Sequence, residues 1–426
     1  MVVASPSRTG VEVVEHLRAG RFSQVHAMFA THLQALVPAE TLRTAWQSIH
    51  DQHGPFVAAG DPTATAGPVG TSVVVPVLLA QGTLFVELVV DASGRLVGLQ
   101  LTPPHQPWQP PDYADRAAFD EHEITLGSGP LAVPATITVP RSATRCPAVV
   151  LLPGGGPFDR DATSGSNKPL KDIAWGLAGR GVVVVRFDKV THVHAAMVAQ
   201  HETFTMTDEY VPHAVAAVQV LCEHPSVDAG RVYVLGHSMG GKVAALVAAA
   251  EPAVAGLILM AADAEPMQWA AVRVARYLST FAPDGGAAAA QAVETLTCQA
   301  QLVDSDDLSS ETDAGRLPLG LSAAYWLDLR GYDPVVTAAT VGKPMLILQG
   351  GRDYQVTVDD DLARWRAGLD GRPEVIIRVY DADNHLFFPG TGPSTPAEYG
   401  PPQHVDPHVI DDITAWLTTG HRLAAP

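Results

Sequence analysis

A serine flanked by glycines is the side chain of this sequence best placed for nucleophilic chemistry. The segment GHSMG at 236–240 fits the pattern G-x-S-x-G and lies between a predicted strand, RVYVL, and a predicted small-residue helix, GGKVAALVAAAEP. So sharp a turn forces Ser238 into strained backbone angles, and side chains two residues before or after it would clash. The pattern predicts a nucleophile elbow; the alternative is a serine that only caps a helix.

The candidate base is His385. A serine hydroxyl is a poor nucleophile at neutral pH and needs a base within hydrogen-bond reach. His385 lies just past the last predicted strand, in EVIIRVYDADNH, the position expected for the base that serves a nucleophile elbow. A surface histidine is the alternative. His237 adjoins the serine, but neighbours on a sharp turn point apart, so we interpret it as a packing residue beneath the elbow.

The candidate acid is Asp353, which ends the predicted strand in KPMLILQGGRD. A carboxylate at this edge of the sheet would hold the imidazole tautomer and stabilise its charged form. Asp263 ends another predicted strand and is a rival by position, and Asp381 and Asp383 are rivals because they are close to the histidine in sequence. A loop carboxylate paired with Arg352 is the structural alternative.

Two backbone N–H groups are candidates for stabilising the oxyanion of acyl transfer. One belongs to Met239, directly after the nucleophile. The other is expected from the loop LLPGGGPFDRD, where Gly155 is the first choice and Gly156 the reserve. The loop resembles an HGGG-type loop with Pro153 in place of the histidine. A phosphate-binding loop is disfavoured because no GK[ST] follows and the protein is acidic.

The order of predicted elements indicates a mostly parallel sheet covered on both faces. EHEITLG and LAVPATITVP predict a strand pair, and apolar strands then alternate with helices from 147 to 262. Residues at about 263–340 break this alternation and predict a helical cap insertion. KPMLILQGGRD and EVIIRVYDADNH resume the sheet, and VDPHVIDDITAWLTTG predicts a closing helix.

The first part of the chain predicts a separate small α+β domain over 1–105. Helical patterns over 11–50 are followed by two or three antiparallel strands over 71–101, and a Pro-rich linker is expected over 106–120. The larger domain then covers 121–426. This organisation is within reach of a chain of 426 residues.

Composition excludes several classes of function. The formal net charge of -18 disfavours nucleic acid and anionic lipid as partners. The 3 cysteines form no zinc or disulfide pattern, the N-terminal segment has no signal peptide, and no apolar run is long enough to span a membrane. We expect a cytoplasmic protein without metal or organic cofactor.

Several segments together are similar to the α/β-hydrolase superfamily, in particular to bacterial esterase-like members with an N-terminal DUF3887-type domain. They are PGGGPFDRD, NKPLKDIAWGLAGRGVVVVRFDK, GHSMGG, YWLDLRGYDP, LILQGGRDYQV, NHLF and STPAEYGPPQHVD. The resemblance implies an α/β-hydrolase fold with a cap, and a Ser238, Asp353 and His385 triad. It also implies a cystatin/NTF2-like first domain that lies beside the cap or pairs chains into a homodimer. Pro153 departs from the usual histidine and puts the oxyanion loop's arrangement in question.

The resulting expectation is a serine hydrolase that cleaves small carboxylic esters through an acyl-enzyme. The alternatives are a dedicated biosynthetic acyltransferase, cyclase or acetate-eliminating lyase, and a non-enzymatic binding scaffold. The candidate substrate-pocket residues are Tyr325, Trp326, Met267 and Trp269, with Arg160 as a lesser candidate. Packing within the cap is the equal alternative for the aromatic residues, and ion pairing that braces the loop is the first interpretation of Arg160.

Overall fold

The structure, a computed structural model, divides the chain into two compact units, Met1–Pro107 and Trp108–Pro426. It describes residues 5–30, 33–34, 37–66, 70–102, 107–141, 144–281 and 286–421. The predicted domain boundary at 105 and the start of the predicted linker at 106 therefore lie outside the described residues, as do four residues of the predicted helical segment FSQVHAMFATHLQALV.

The first unit combines three described helices with an antiparallel sheet. The helices are α1 (Pro6–Arg18), α2 (Phe22–Met28) and α3 (Ala39–His53), and the strands are β1 (Phe56–Ala59), β2 (Thr63–Ala66), β3 (Thr71–Leu79), β4 (Gly82–Val90) and β5 (Leu96–Thr102). The strand order is β1-β3-β4-β5, and β2 pairs with β3. This is the small α+β unit that the sequence predicts, with β1 and β2 in addition.

Alternation along β3 builds the core of the first unit. Val73, Val75 and Val77 are completely buried, while their neighbours in the strand keep exposed surface. Because successive strand residues point to opposite faces, this pattern buries one face of the sheet. Helix α1 packs against that face closely at Gly10, where a Cβ atom would lie 2.8 Å from the Val73 side chain.

The second unit alternates strands and helices. Its helices are α4 (Pro169–Ala178), α5 (Val190–Val193), α6 (Ala195–Val198), α7 (Met206–Glu223), α8 (Met239–Ala250), α9 (Met267–Ser279), α10 (Ala287–Asp304), α11 (Ala323–Arg330), α12 (Pro334–Val341), α13 (Ala363–Gly368) and α14 (Pro407–Thr418). Its strands are β6 (Phe119–Leu126), β7 (Val133–Pro140), β8 (Cys146–Leu152), β9 (Val183–Phe187), β10 (Val227–His237), β11 (Val254–Met260), β12 (Met345–Gly350) and β13 (Val375–Tyr380).

These strands form one sheet of eight, in the order β13-β12-β11-β10-β8-β9-β7-β6. Strands β8 to β13 pair in parallel, and β6 and β7 join antiparallel at one side. The carboxyl ends of the parallel strands therefore meet at one edge, where ligands bind in open α/β sheets.

Both faces of this sheet are buried. In β8, Val150 and Leu152 enter one hydrophobic cluster, while Val149 and Leu151 enter another. A strand whose alternate side chains reach two different cores must be covered on both faces, which explains its continuous apolar sequence. The structure thus confirms the mostly parallel sheet with helices on both faces.

Helices α9 to α12 are inserted between β11 and β12, within the segment where the sequence predicts an insertion. Helix α9 is tied to the segment that follows β12, because the Arg273 guanidinium donates hydrogen bonds to the Tyr354 and Gln355 carbonyls at 3.1 Å each. The insertion therefore packs at the carboxyl edge of the sheet.

Neither unit contains, among its described helices, one with the length and apolar character needed to cross a bilayer.

Candidate active site

The turn between β10 and α8 holds Ser238 in a conformation that L-residues rarely adopt, with φ 55° and ψ −122°. Two glycines make this turn possible. A Cβ atom on Gly236 would lie 2.1 Å from the Gly240 carbonyl oxygen, and one on Gly240 would lie 2.5 Å from that of Leu152. Both separations are shorter than any real contact, so the sequence G-x-S-x-G is required by the backbone.

His385 and Asp353 form a buried pair. The His385 Nδ1 and Asp353 Oδ2 atoms are 2.7 Å apart, and each residue keeps only 6% of its surface exposed. The other carboxylate oxygen, Oδ1, accepts hydrogen bonds from the backbone N–H groups of Gln355 at 2.8 Å and Val356 at 3.0 Å. The turn after β12 thus fixes the carboxylate, which in turn fixes the imidazole with Nδ1 protonated.

This environment sets the basicity of the imidazole. Burial by itself disfavours the charged form of His385, but attraction and hydrogen bonding to Asp353 outweigh burial, so the pKa of His385 lies above its ordinary value. The Asp263 carboxylate acts in the same direction. The pair can therefore accept a proton readily.

His237 connects the elbow to the segment that carries the histidine. Its Nε2–H donates a hydrogen bond of 2.8 Å to the His385 carbonyl, and the two imidazole centroids lie 4.7 Å apart. Burial, together with the charge of the neighbouring His385, lowers the pKa of His237 to about 3, so this ring stays neutral. The residue next to Ser238 therefore holds the backbone of His385 beside the elbow.

The Ser238 hydroxyl faces a second carboxylate. Its Oγ donates a hydrogen bond of 3.5 Å to Asp263 Oδ1, and within the described part of the chain no hydrogen bond joins it to His385. Burial raises the pKa of Asp263 to about 6, although the Lys242 ammonium opposes this shift. The sequence named Asp263 as a rival acid; the structure places it against the serine and not against the imidazole Nδ1.

The glycine-rich loop after β8 lies beside the elbow. A Cβ atom on Gly154 would be 3.3 Å from the Ser238 Cβ, and one on Gly155 would be 3.7 Å from the Met239 Cβ. Met239 is the first residue of α8, and the first N–H groups of a helix have no acceptor inside it. The structure therefore brings Gly155 and Met239 together next to the serine. Gly156, the reserve donor, has φ 110° and turns the loop towards Phe158.

The structure places the predicted pocket aromatics in packed surroundings. Trp326 has no exposed surface, and its Nε1–H donates to the Pro318 carbonyl at 3.2 Å. The Tyr325 hydroxyl donates to the Glu209 carboxylate at 2.6 Å. Both side chains are thus buried, and Tyr325 reaches from the insertion to helix α7.

The remaining predicted pocket residues lie in three different environments. Met267 is half-buried and packs against the larger hydrophobic cluster. The Trp269 Nε1–H donates to Asp304 at 2.7 Å. Arg160 pairs with Asp188 at 2.9 Å and with Glu123 at 2.6 Å, so this guanidinium braces the loop through ion pairs.

A cleft of about 430 Å³ lies beside the acid, between helix α9 and the loops after β12 and β13. No sequence signal indicated it, because its walls come from segments distant in sequence. The lining residues are Arg273, Tyr277, Gly351, Arg352, Asp353, Tyr354, Thr357, Gly392, Pro393 and Ser394.

The chain can now be compared with known proteins. Residues 166–365 match the family model described as serine aminopeptidase, S33, and residues 11–99 match the model of a protein of unknown function, DUF3887. The chain belongs to the α/β-hydrolase superfamily, in its bacterial esterase-like group with an N-terminal DUF3887 domain, and it is a carboxylic ester hydrolase. It is 33% identical over 407 residues to esterase EstD of Thermotoga maritima, covering 95% of this chain and 93% of the relative.

Solved structures resemble the chain at lower identity. An esterase from the archaeon Pyrobaculum calidifontis is 18% identical, with a TM-score of 0.44, over 71% of this chain and 86% of the other. 2,6-Dihydroxy-pseudo-oxynicotine hydrolase is 18% identical, with a TM-score of 0.44, over 72% of this chain and 70% of the other.

Proposed function

We propose that this chain hydrolyses carboxylic esters by a covalent route in which Ser238 is the nucleophile, His385 the base and Asp353 the acid. The observation that carries the proposal is the 2.7 Å hydrogen bond between His385 Nδ1 and Asp353 Oδ2. It orients the imidazole of His385, whose backbone carbonyl accepts a hydrogen bond from the side chain of His237, the residue preceding Ser238. Relationship to an esterase over nearly the whole chain adds independent support.

In the first half of the reaction, Ser238 Oγ attacks the ester carbonyl carbon while its proton passes to His385 Nε2. Negative charge develops on the former carbonyl oxygen and is stabilised by the Met239 and Gly155 N–H groups. The bond to the alcohol oxygen then breaks, and the alcohol leaves with the proton from His385. An acyl-serine remains.

In the second half, water attacks the acyl-serine and gives a proton to His385 Nε2. The tetrahedral intermediate collapses, the bond to Ser238 Oγ breaks, and the serine regains the proton from the imidazole. The carboxylic acid is released, and Asp353 keeps its charge throughout because it stabilises the imidazolium without taking its proton.

Attack requires the Ser238 side chain to turn from Asp263 to His385. We propose that rotation about the Cα–Cβ bond of Ser238 brings its hydroxyl to His385 Nε2, a change that leaves the strained turn in place. Catalytic hydrogen bonds commonly tighten only in the substrate complex, so the 3.5 Å contact with Asp263 is compatible with a resting rotamer.

We also propose that helices α9 to α12 act as a cap over the carboxyl edge, and that the cleft beside Asp353 accepts part of the ester. The support is that Arg273 and Tyr277 of helix α9 form one wall of this cleft. Stacking of Tyr277 on Tyr354, with centroids 5.1 Å apart, gives that wall an aromatic surface suited to an apolar group.

The covalent route is tested with p-nitrophenyl acetate. The unaltered protein should release a burst of p-nitrophenolate equal to the enzyme concentration before a slower steady rate, because acylation precedes hydrolysis of the acyl-enzyme. Ser238→Ala should lose both phases. Ser310→Ala, at an exposed serine of the insertion, should keep both.

Two outcomes would count against the proposal. Turnover that survives in Ser238→Ala would exclude this serine as nucleophile. Failure of the unaltered protein on simple esters, with a fluorophosphonate still labelling Ser238, would favour dedicated acyl transfer or elimination instead.

A further inference from the structure

The peptide unit between Gly154 and Gly155 is held on its carbonyl side by two buried side chains. The Gly154 carbonyl oxygen accepts a hydrogen bond of 2.7 Å from the Tyr210 hydroxyl and one of 3.1 Å from the Lys189 ammonium. Lys189 and Tyr210 each keep only 1% of their surface exposed. Both lone pairs of this oxygen are therefore engaged.

Fixing this carbonyl also fixes the N–H group of Gly155. The two groups belong to one planar trans peptide, so they point in opposite directions. The unit lies against the elbow, since Cβ atoms on Gly154 and Gly155 would approach Ser238 and Met239 to 3.3 and 3.7 Å. Glycine allows a wider range of backbone angles than any other residue. A Gly-Gly peptide without such hydrogen bonds would therefore change its orientation freely.

The ammonium is held by a network with no unused donor. Each of its three N–H bonds has one acceptor: the Gly154 carbonyl, the Tyr210 hydroxyl at 2.8 Å and the Glu209 carboxylate at 2.8 Å. The other oxygen of Glu209 accepts from Tyr325 at 2.6 Å. Burial lowers the pKa of Lys189, and pairing with Glu209 opposes this and supports the charged form.

A buried ion pair is weak evidence of stabilisation, because the free-energy cost of removing two charges from water can exceed the gain from their attraction. This pair also sits where the loop lacks its usual ordering residue. Pro153 replaces the histidine of HGGG-type loops and has neither a side-chain donor nor a backbone N–H. The order of the loop must therefore come from another element, and Lys189 and Tyr210 contact it directly.

We propose that Lys189 and Tyr210 are positioning residues of the oxyanion hole, which clamp the Gly154 carbonyl and thereby aim the Gly155 N–H at the substrate oxyanion. This inference rests on the proposed function, because it assumes a tetrahedral intermediate at Ser238. Through Glu209 and Tyr325, the clamp also ties the oxyanion hole to helix α11 of the insertion.

The test compares variants that loosen the clamp. Tyr210→Phe removes one hydroxyl, and Lys189→Met, made together with Glu209→Gln so that no charge is left buried alone, removes the ammonium. Losing one oxyanion donor costs about 100- to 1000-fold in kcat. We expect losses in kcat of about 10-fold for Tyr210→Phe and about 100-fold for the double variant, with KM nearly unchanged, because the donor acts mainly in the transition state.

A second readout separates positioning from a general structural role. A trifluoromethyl ketone forms a hemiketal oxyanion on the serine, and its affinity should fall by the same factor as kcat/KM in each variant. Tyr332→Phe is the matched control, since the Tyr332 hydroxyl also donates to a backbone carbonyl, that of Lys242, at 2.7 Å. It should leave kcat and ketone affinity unchanged.

The clamp is overturned if the unaltered enzyme acylates Ser238 while Tyr210→Phe and the double variant keep full kcat and ketone affinity. It is also overturned if kcat falls while ketone affinity stays constant. A different result would refute the proposed function itself: the unaltered enzyme forms no acyl-serine and does not bind the ketone. The clamp would then be refuted as well, because it assumes that function.

Discussion

Strands β11 and β12 are parallel neighbours, and each is followed by an aspartate, yet the two carboxylates have different surroundings. Asp353 accepts two backbone N–H groups and binds His385. Asp263 accepts the Ser238 hydroxyl at 3.5 Å, and its carboxylate receives no backbone N–H within the described residues. The N–H groups after β11, of Ala264 and Glu265, go instead to Asp361, in hydrogen bonds of 2.9 Å each.

The difference teaches that a position after a strand does not by itself select the acid. Backbone donors hold the Asp353 carboxylate in one orientation, which an acid that supports an imidazolium needs. Asp263 lacks such donors, and burial raises its pKa to about 6. The two strand ends therefore offer one fixed carboxylate and one that titrates close to neutral pH.

The largest expected effect comes from removing the carboxylate of Asp353. Asp353→Asn should lower kcat for p-nitrophenyl acetate by about 10,000-fold, because the imidazole loses its correct tautomer and its counter-charge. Steady-state kinetics of the purified variant measures this loss. A loss below that of Asp263→Asn would reverse the assignment of the acid.

An intermediate effect is expected from replacing Asp361, the carboxylate that accepts the N–H groups after β11. Asp361 is 1% exposed, and besides the N–H groups after β11 it binds Thr357 N–H at 2.9 Å and the Arg273 guanidinium at 3.1 Å. Asp361→Ala should lower the free energy of unfolding by about 3 kcal/mol, since it leaves the three backbone N–H groups without an acceptor.

Urea unfolding measures the effect of Asp361→Ala, with Asp359→Ala at an exposed aspartate of the same turn as its control. The control should stay within about 0.5 kcal/mol of the unaltered protein. Equal stability of the two variants would contradict the structural role assigned to Asp361.

The smallest expected effect is a displaced pH profile. The anionic Asp263 helps to raise the pKa of His385, so Asp263→Asn should lower that pKa. The base must be neutral to accept a proton, and the acidic limb of kcat/KM should therefore move to lower pH, with the plateau rate within about 10-fold of the unaltered enzyme. An acidic limb that stays in place would show that Asp263 does not act on the base.

Sequence patterns predict those parts of this molecule in which backbone geometry dictates residue type. Gly236 and Gly240 are required by the turn at Ser238, so a local pattern identifies the elbow. Continuous apolar strands between helices predict the parallel sheet, and the fold and the family are confirmed. The short strands β1 and β2 carry little apolar periodicity and were not predicted.

Contacts between distant segments could not be predicted in the same way. Lys189 and Tyr210 meet Gly154 across 35 and 56 residues of sequence, and nothing in their local pattern marks them. The aromatic residues Tyr325 and Trp326 suggested a pocket, but an aromatic pair has the same composition in a pocket and in a packed core. The assignment of the catalytic residues stays a prediction until it is tested.

The most direct test is to locate the acyl group. The enzyme is mixed with p-nitrophenyl acetate, quenched in acid within the burst and mapped by peptide mass spectrometry. We predict one acetyl group per chain, on the peptide that contains Ser238, and its accumulation to a lower level in Asp353→Asn. An acetyl group on another residue, or turnover without any acetylated peptide, would contradict the proposed chemistry.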